Sequence, residues 1–445
     1  MHPPPFGKIS LEGLLSRAQT IFTTGYKFQG ELNLANLQQT FEVIADAIGK
    51  LSQQLEFRSQ SDFGWISSRN LIGQRFHVIS ADNLDQEVKE LSARAFQVRA
   101  LSNNYPINMT VIHSSNQATA DQFVIVLQCA HEYIDARSSE LIFKLMVDYY
   151  NALARSDAAA MELVVAEARQ LRTISTPEMV RLLVSVGYNP MANVKELESY
   201  PSSDIGEYRI PMESFPELIA RLPQRERMPT GFFVDAKPMI ARCRAANPKT
   251  SKIAIFAAVL HKALYNINVK YKGKPDKHLI CGRMVSDIVT PALRQRFIGN
   301  YFSFVPVATP GELPVEEIAR LIHDRIVEFK AKQLDVTCFQ MVEFAASQNM
   351  LGRTDMEYSY TMTNWCNHHF LSTRQLLAGC DSLAHLSVAN YLPLDALGAT
   401  QVNRAIVGTN LSFDDVAYFS MMQSLRDDRE NALIEQEVAE LFRQA

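Results

Sequence analysis

The run Phe123-Val124-Ile125-Val126-Leu127 restricts the possible folds of this chain more than any other segment. It is continuously apolar and rich in β-branched residues, so as a strand it has no polar face to offer to water. Such a strand belongs inside a sheet that is covered on both sides. A short break at 131–137 follows, with a histidine, His131, just past the strand and an aspartate, Asp135, four residues on. Ser138 then reads as the N-cap of a helix, with Glu140 favourably placed near the positive helix end. The stripe Ile142, Leu145, Met146, Tyr149 and Leu153 marks that helix as amphipathic and packs it back on the strand.

Helix-like and strand-like patterns alternate along the rest of the chain, which predicts an α/β fold with mixed (α+β) sheets. Leu37, Phe41, Ile44, Ile48 and Leu51 form a helical stripe over 34–51. The pattern weakens between Ala158 and Ser203 and ends in Tyr200-Pro201-Ser202-Ser203, so two lobes are expected, 1–175 and 176–445. The second half restarts with a short strand at Tyr208-Arg209-Ile210. A strong helix follows over 251–267, then strands at 278–281 and 302–307 and helices over 315–330 and 430–442. No internal repeat is visible, which argues against a solenoid or propeller.

Charge narrows the function. Lys plus Arg is 44 and Asp plus Glu is 48, a net charge of −4 over 445 residues. That balance is wrong for an electrostatic nucleic-acid or membrane-surface binder. The six cysteines, Cys129, Cys243, Cys281, Cys338, Cys366 and Cys380, include no CxxC pair and read as reduced thiols. Met1 to Lys8 lacks the basic-then-apolar pattern of a signal peptide, and the apolar stretch 253–260 is too short to span a bilayer. The formal glycosylation sequons at Asn108 and Asn410 carry little weight without a secretory signal. A soluble, cytoplasmic protein is expected.

The segment Cys129-Ala130-His131-Glu132-Tyr133-Ile134-Asp135-Ala136-Arg137-Ser138 carries the chemistry. His131-Glu132 followed by Asp135 imitates a zinc HExxH motif. That chemistry needs its ligands on one helical face, whereas the residues before His131 form a strand. By itself the pattern fits equally a satisfied core histidine beside an N-capping aspartate. His368-His369 beside Cys366 lack further spaced ligands, and no metal site is expected. The basic run Lys270 to Lys277 reads as a solvated turn between a helix and a strand, with phosphate binding as the sharper alternative.

His-x-x-x-Asp between a buried strand and a helix resembles the HxxxDG signature of the chloramphenicol acetyltransferase-like superfamily. That group holds the BAHD acyltransferases, the condensation domains of peptide synthetases and the polyketide-associated acyltransferases. Gly30 to Leu37 resembles the family's opening strand–helix pair, and Gly282-Arg283 the Gly-Arg pair of condensation domains. Gly299-Asn300-Tyr301-Phe302 is similar to its Gly-Asn strand entry, and Thr361-Met362-Thr363-Asn364-Trp365 to the Thr-Ser-Trp strand of BAHD enzymes. The order of these pieces covers most of the chain. Three departures stand out. Ala136 replaces the motif's glycine. Ala130 replaces the first of the two histidines of condensation domains. No DFGWG loop follows between Phe370 and Leu392, and Asp62-Phe63-Gly64-Trp65 precedes His131 and is read as coincidence.

The resemblance implies two similar lobes with an active-site tunnel between them, and His131 as general base. His131 would deprotonate a hydroxyl or amine acceptor as it attacks a thioester, then protonate the leaving thiolate. Asp135 would orient the loop through a salt bridge to Arg283. Thr363 would donate to the oxyanion, with Thr361 and Asn364 as rivals, while Trp365 and Asn364 would line the substrate site. The substrates implied are acyl-CoA, or a carrier protein's phosphopantetheine thioester, and a small acceptor of specialised metabolism. No tightly bound cofactor is implied, and the chain would act as a monomer. Two rival readings stay open: a condensation-like enzyme using carrier-bound thioesters, and a catalytically retired member that binds a ligand or partner.

Overall fold

The computed structural model describes residues 21–57, 63–101, 105–131, 133–189, 194–197, 230–347, 359–365, 371, 376–390, 405–412, 415–421 and 428–445. Its strands in chain order are β1 (Ile21–Gly30), β2 (Gln53–Phe57), β3 (Phe63–Ser67), β4 (Phe76–Ala81), β5 (Ile107–Ser114), β6 (Gln122–Ala130), β7 (Thr230–Asp235), β8 (Leu279–Asp287), β9 (Phe302–Pro310), β10 (Tyr360–Trp365), β11 (Cys380–Asn390), β12 (Ala405–Leu411) and β13 (Val416–Met421). They form two mixed sheets flanked by helices, plus the small β2–β3 ladder. The fold class is therefore the mixed α/β arrangement that the alternating pattern predicts.

The chain divides into two compact units. The first comprises 1–176, 289–301 and 367–392, and the second comprises 177–288, 302–366 and 393–445. The expected boundary at 175/176 treats the second half as continuous, whereas two of its segments group with the first unit. Tertiary pairing, which local pattern does not reveal, makes the difference: β11 hydrogen-bonds to β1 from Ile21↔Asn390 to Gly30↔Cys380.

In the first unit the sheet order is β11-β1-β6-β5-β4. β6 lies in its interior, antiparallel to both β1 and β5. Val124, Ile125, Val126 and Leu127 are wholly buried, as a run without a polar face requires. At about 1.5–3 kcal/mol for each large aliphatic side chain, this strand anchors the unit. The helix Ala136–Ala154 follows, burying Ile142, Leu145, Met146 and Tyr149 while Leu153 stays half-buried. Its N-cap is Asp135 and not the expected Ser138: the carboxylate Oδ1 accepts the Ser138 N–H at 2.8 Å. The helix over 34–51 ends earlier than its stripe, at Ala47, with Ile48 as C-cap.

The second unit has the sheet order β7-β13-β12-β10-β8-β9. β10 runs parallel to both β12 and β8, and the remaining pairs are antiparallel. The helix Lys252–Lys272, capped by Ser251, buries Ile255, Phe256, Val259 and Leu264 in the core of this unit. It ends on Gly273 in the left-handed conformation at φ 61°, a backbone state that glycine takes without a Cβ penalty. The basic run sits at this helix end, where Lys270 is paired to Glu437 at 2.8 Å. The helices Val315–Ala331 and Asp428–Arg443 also match expectation closely.

The strand expected at Tyr208-Arg209-Ile210 and the pair His368-His369 lie outside the described residues. Both sequons fall on strands, Asn108 on β5 and a fully buried Asn410 on β12. Among the described residues no helix is long and apolar enough to cross a membrane.

Candidate active site

β6 ends at Ala130, and the turn that follows carries His131, half-buried. The Tyr133 N–H donates to Ala130 O at 3.0 Å and closes the turn. The edge of the imidazole meets the ring of Phe22 on β1, with centroids 5.2 Å apart. The other principal contact comes from Asn300. Its Oδ1 lies 2.9 Å from His131 Nδ1, and its Nδ2 donates to the His131 backbone carbonyl. One carboxamide therefore holds both the ring and the main chain of His131.

Asp135 sits four residues on and does not point to a reacting centre. Its Oδ2 accepts from Arg294 Nη2 at 2.9 Å and from the Tyr301 N–H at 3.0 Å, and its own N–H donates to Gly299 O at 3.2 Å. Ser138 completes the junction. Its Oγ accepts from the Gly299 N–H at 3.1 Å and from Arg294 Nη1 at 3.3 Å, and donates to Gly299 O at 3.1 Å. Arg294 is wholly buried, and its guanidinium lies over the Tyr301 ring at 5.4 Å. The Tyr301 hydroxyl in turn accepts the Ile174 N–H. This network welds the 131–138 turn to the 294–301 return, and every member belongs to the first unit.

The arginine beside Asp135 is thus Arg294, which corrects the assignment to Arg283. Arg283 lies within β8 of the second unit, where its Nε donates to Thr361 Oγ1 at 2.7 Å and its guanidinium covers Phe304 at 4.0 Å. The Gly-Arg pair has a packing explanation. A Cβ on Gly282 would come within 2.2 Å of the Tyr360 ring, so the glycine makes room for the tyrosine opposite and the arginine binds the threonine next to it.

Thr363, Asn364 and Trp365 all lie on β10 of the second unit. Thr363 is half-buried, and its carbonyl accepts from Thr409 Oγ1 at 3.5 Å. Asn364 Nδ2 donates to the same hydroxyl at 3.1 Å, and Trp365 is buried. Thr361, the rival at the other end of the motif, is buried, and its Oγ1 accepts from Arg283 Nε. Ala136 opens its helix with an ordinary helical backbone, so this turn has no use for the glycine of the motif. Among the described residues no group of three or more His, Cys, Asp or Glu side chains gathers as a metal site.

Reading the sequence missed two residues here. Arg294 leaves a faint trace, an arginine five positions before a Gly-Asn pair. Asn300 lies inside a recognised motif, as the one polar side chain among Ile298, Tyr301 and Phe302, yet carries no role until the His131 contact is seen.

No family model matches the sequence, and no curated protein is similar to it at a significant level. Solved structures are similar over almost the whole chain. One is the TRI3 trichothecene 15-O-acetyltransferase from Fusarium sporotrichioides, at 11% identity and TM-score 0.61, covering 98% of this chain and 94% of that one. Another is polyketide synthase associated protein 5 from Mycobacterium tuberculosis, at 11% identity and TM-score 0.59, covering 99% of each chain. A third is the first condensation domain of the calcium-dependent antibiotic synthetase, at 10% identity and TM-score 0.60, covering 98% of this chain and 96% of that one. At such identities the fold is what is shared, and this chain has the fold of this acetyltransferase, this polyketide synthase associated protein and this condensation domain.

Proposed function

We propose that this chain is an acyltransferase that moves an acyl group from a phosphopantetheine thioester to a hydroxyl or amine, with His131 as its general base. The observation that carries the reading is the presentation of His131. A half-buried imidazole stands on a turn that the Asp135–Arg294–Ser138 network makes rigid, in a fold shared with a solved acetyltransferase. A base held this firmly gains its rate from position as much as from basicity.

The imidazole takes the proton of the acceptor O–H or N–H as that atom bonds to the thioester carbonyl carbon. The C–S bond then breaks, and the same proton goes to the leaving sulfur. No acyl-enzyme is needed. Asp135 and Arg294 position the turn that carries the base. Coenzyme A and a carrier protein present the same phosphopantetheine chemistry. The acyl-CoA form with a small-molecule acceptor is the primary reading, and the carrier-bound form is the alternative supported by the likeness to condensation domains.

Thiol release from a panel of acyl-CoA donors, with mixed amine and alcohol acceptors, tests the proposal in wild type and His131→Ala. Acceptor-dependent release that vanishes in the variant supports it. Silence with acyl-CoA but turnover with loaded carrier proteins selects the condensation-like form. Equal release by both proteins removes His131 as the base, and silence with every donor marks a chain that only binds.

A further inference from the structure

We propose that Asn300 sets the tautomer of His131 and thereby decides which ring nitrogen handles the proton. The inference rests on the reading of His131 as general base and adds a positioning residue to it. A carboxamide has one end that only accepts and one that only donates. The backbone carbonyl of His131 can only accept, so the Nδ2 end of Asn300 must face it, as it does. That leaves Oδ1 directed at His131 Nδ1, 2.9 Å away. An amide oxygen cannot donate, so the neutral ring must carry its hydrogen on Nδ1. The lone pair then lies on Nε2, and the base is that atom.

Turning the carboxamide over would set oxygen against oxygen at the main chain, whichever tautomer the ring adopts. The residue is also fixed from both sides. Gly299 before it exchanges hydrogen bonds with Ser138 Oγ through its N–H and its carbonyl, and the N–H of Tyr301 after it is held by Asp135. Asn300 itself is 7% exposed, so water competes poorly for its amide. The Asp135–Arg294 network thus acts on the chemistry through Asn300: it fixes the side chain that assigns the proton on the imidazole. During turnover Nδ1 keeps its hydrogen throughout. The acceptor proton arrives at Nε2 and leaves from Nε2 to the thiolate. Asparagine also differs from aspartate here, since a neutral oxygen orients the ring without adding a negative charge that would favour the imidazolium.

Nitrogen NMR of the ¹⁵N-histidine-labelled full chain tests this, with the His131 signals identified by their loss in His131→Gln. The wild type is expected to show an unprotonated-type Nε2 and a protonated-type Nδ1 in the neutral state. The reverse assignment overturns the proposal. In Asn300→Ala the ring is expected to populate both tautomers, with kcat lower by roughly 10²-fold and KM little changed. Asn300→Asp keeps an acceptor at Nδ1 while losing the donor to the His131 carbonyl, so it should retain the wild-type tautomer and recover only part of the turnover. It should also move the acidic limb of the kcat/KM profile to higher pH. Equal losses in both variants with an unchanged tautomer would reduce Asn300 to a structural role and overturn the proposal. The NMR result is independent of activity. If the tautomer is as stated but His131→Gln leaves turnover intact, the general-base reading fails and the tautomer assignment stands.

Discussion

Asp135 and Arg294 meet at 2.9 Å with the arginine side chain wholly removed from solvent, and the same carboxylate holds the Tyr301 N–H. A buried ion pair of this kind is worth most when one half is missing. Arg294→Ala leaves a desolvated carboxylate and should cost about 3–5 kcal/mol in urea unfolding. Arg283→Ala, which removes a contact to a threonine and a ring face, should cost about 1–2 kcal/mol. In a double-mutant cycle Asp135 should couple strongly to Arg294 and negligibly to Arg283.

Glycines separate by the space around them. A Cβ on Gly299, at φ +153°, would lie 2.8–3.0 Å from three atoms of the Tyr301 side chain. Gly299→Ala should therefore lower stability by about 1–3 kcal/mol and reduce activity with it, because Asn300 is the next residue. A Cβ on Gly49 meets nothing within 4 Å, so Gly49→Ala should stay within about 1 kcal/mol of wild type. Thermal melts of the two variants make the comparison.

Acid should destabilise the second unit through His261. This residue is fully buried on the helix Lys252–Lys272, with Nδ1 bonded to Thr309 Oγ1 at 2.8 Å, and burial pushes its pKa down to about 3. The unfolded chain, near 6.5, binds the proton more readily, so the stabilising contribution is complete above pH 6.5 and is lost as pH falls towards 3. At pH 5 the loss is about 2 kcal/mol. Urea titrations at pH 7 and pH 5 should show it, and His261→Gln should flatten the difference while lowering stability at both values.

Thr361→Val removes the acceptor of Arg283 Nε and should lower stability by about 1 kcal/mol, read as a lower melting temperature.

The thiols should be slow to react in the native state. Burial pushes Cys129 upward, Cys243 and Cys380 up to about 11, and Cys338 up to about 12. Among the described cysteines, Cys129, Cys243, Cys281 and Cys380 are buried and Cys338 is half-buried. Alkylation at pH 8 followed by mass spectrometry should find these five modified only after denaturant is added.

Local pattern was enough for the elements with strong periodicity. The Phe123–Leu127 run lies in the sheet interior, and the helix expected from residue 251 begins there, at Lys252. The wrong arginine shows where such reading stops. Gly282-Arg283 matches a motif and Arg294 does not, and only the sheet rules Arg283 out, because register places it opposite Thr361. Asp135 as N-cap in place of Ser138 has a related cause. A carboxylate that satisfies the helix end and a buried guanidinium together outcompetes a hydroxyl, and the second demand comes from residues 294–301. Asn300 was visible as part of a motif, but its partner is 169 positions away and nothing local pairs them.

The pairing of β11 with β1 also has a consequence for synthesis. The Thr24–His385 hydrogen bond on this ladder joins residues 361 positions apart. As the chain leaves the ribosome, β6 can reach β1 early, but the opposite edge of β1 has no partner until Cys380–Asn390 has emerged. Throughout that interval the nascent chain carries an open strand edge able to pair with other chains. The turn bearing His131 likewise lacks Arg294 and Asn300 until the 294–300 segment has emerged. The first unit therefore cannot complete its sheet until Cys380–Asn390 has been made, and until then its open edge is exposed to chaperones and to crowding.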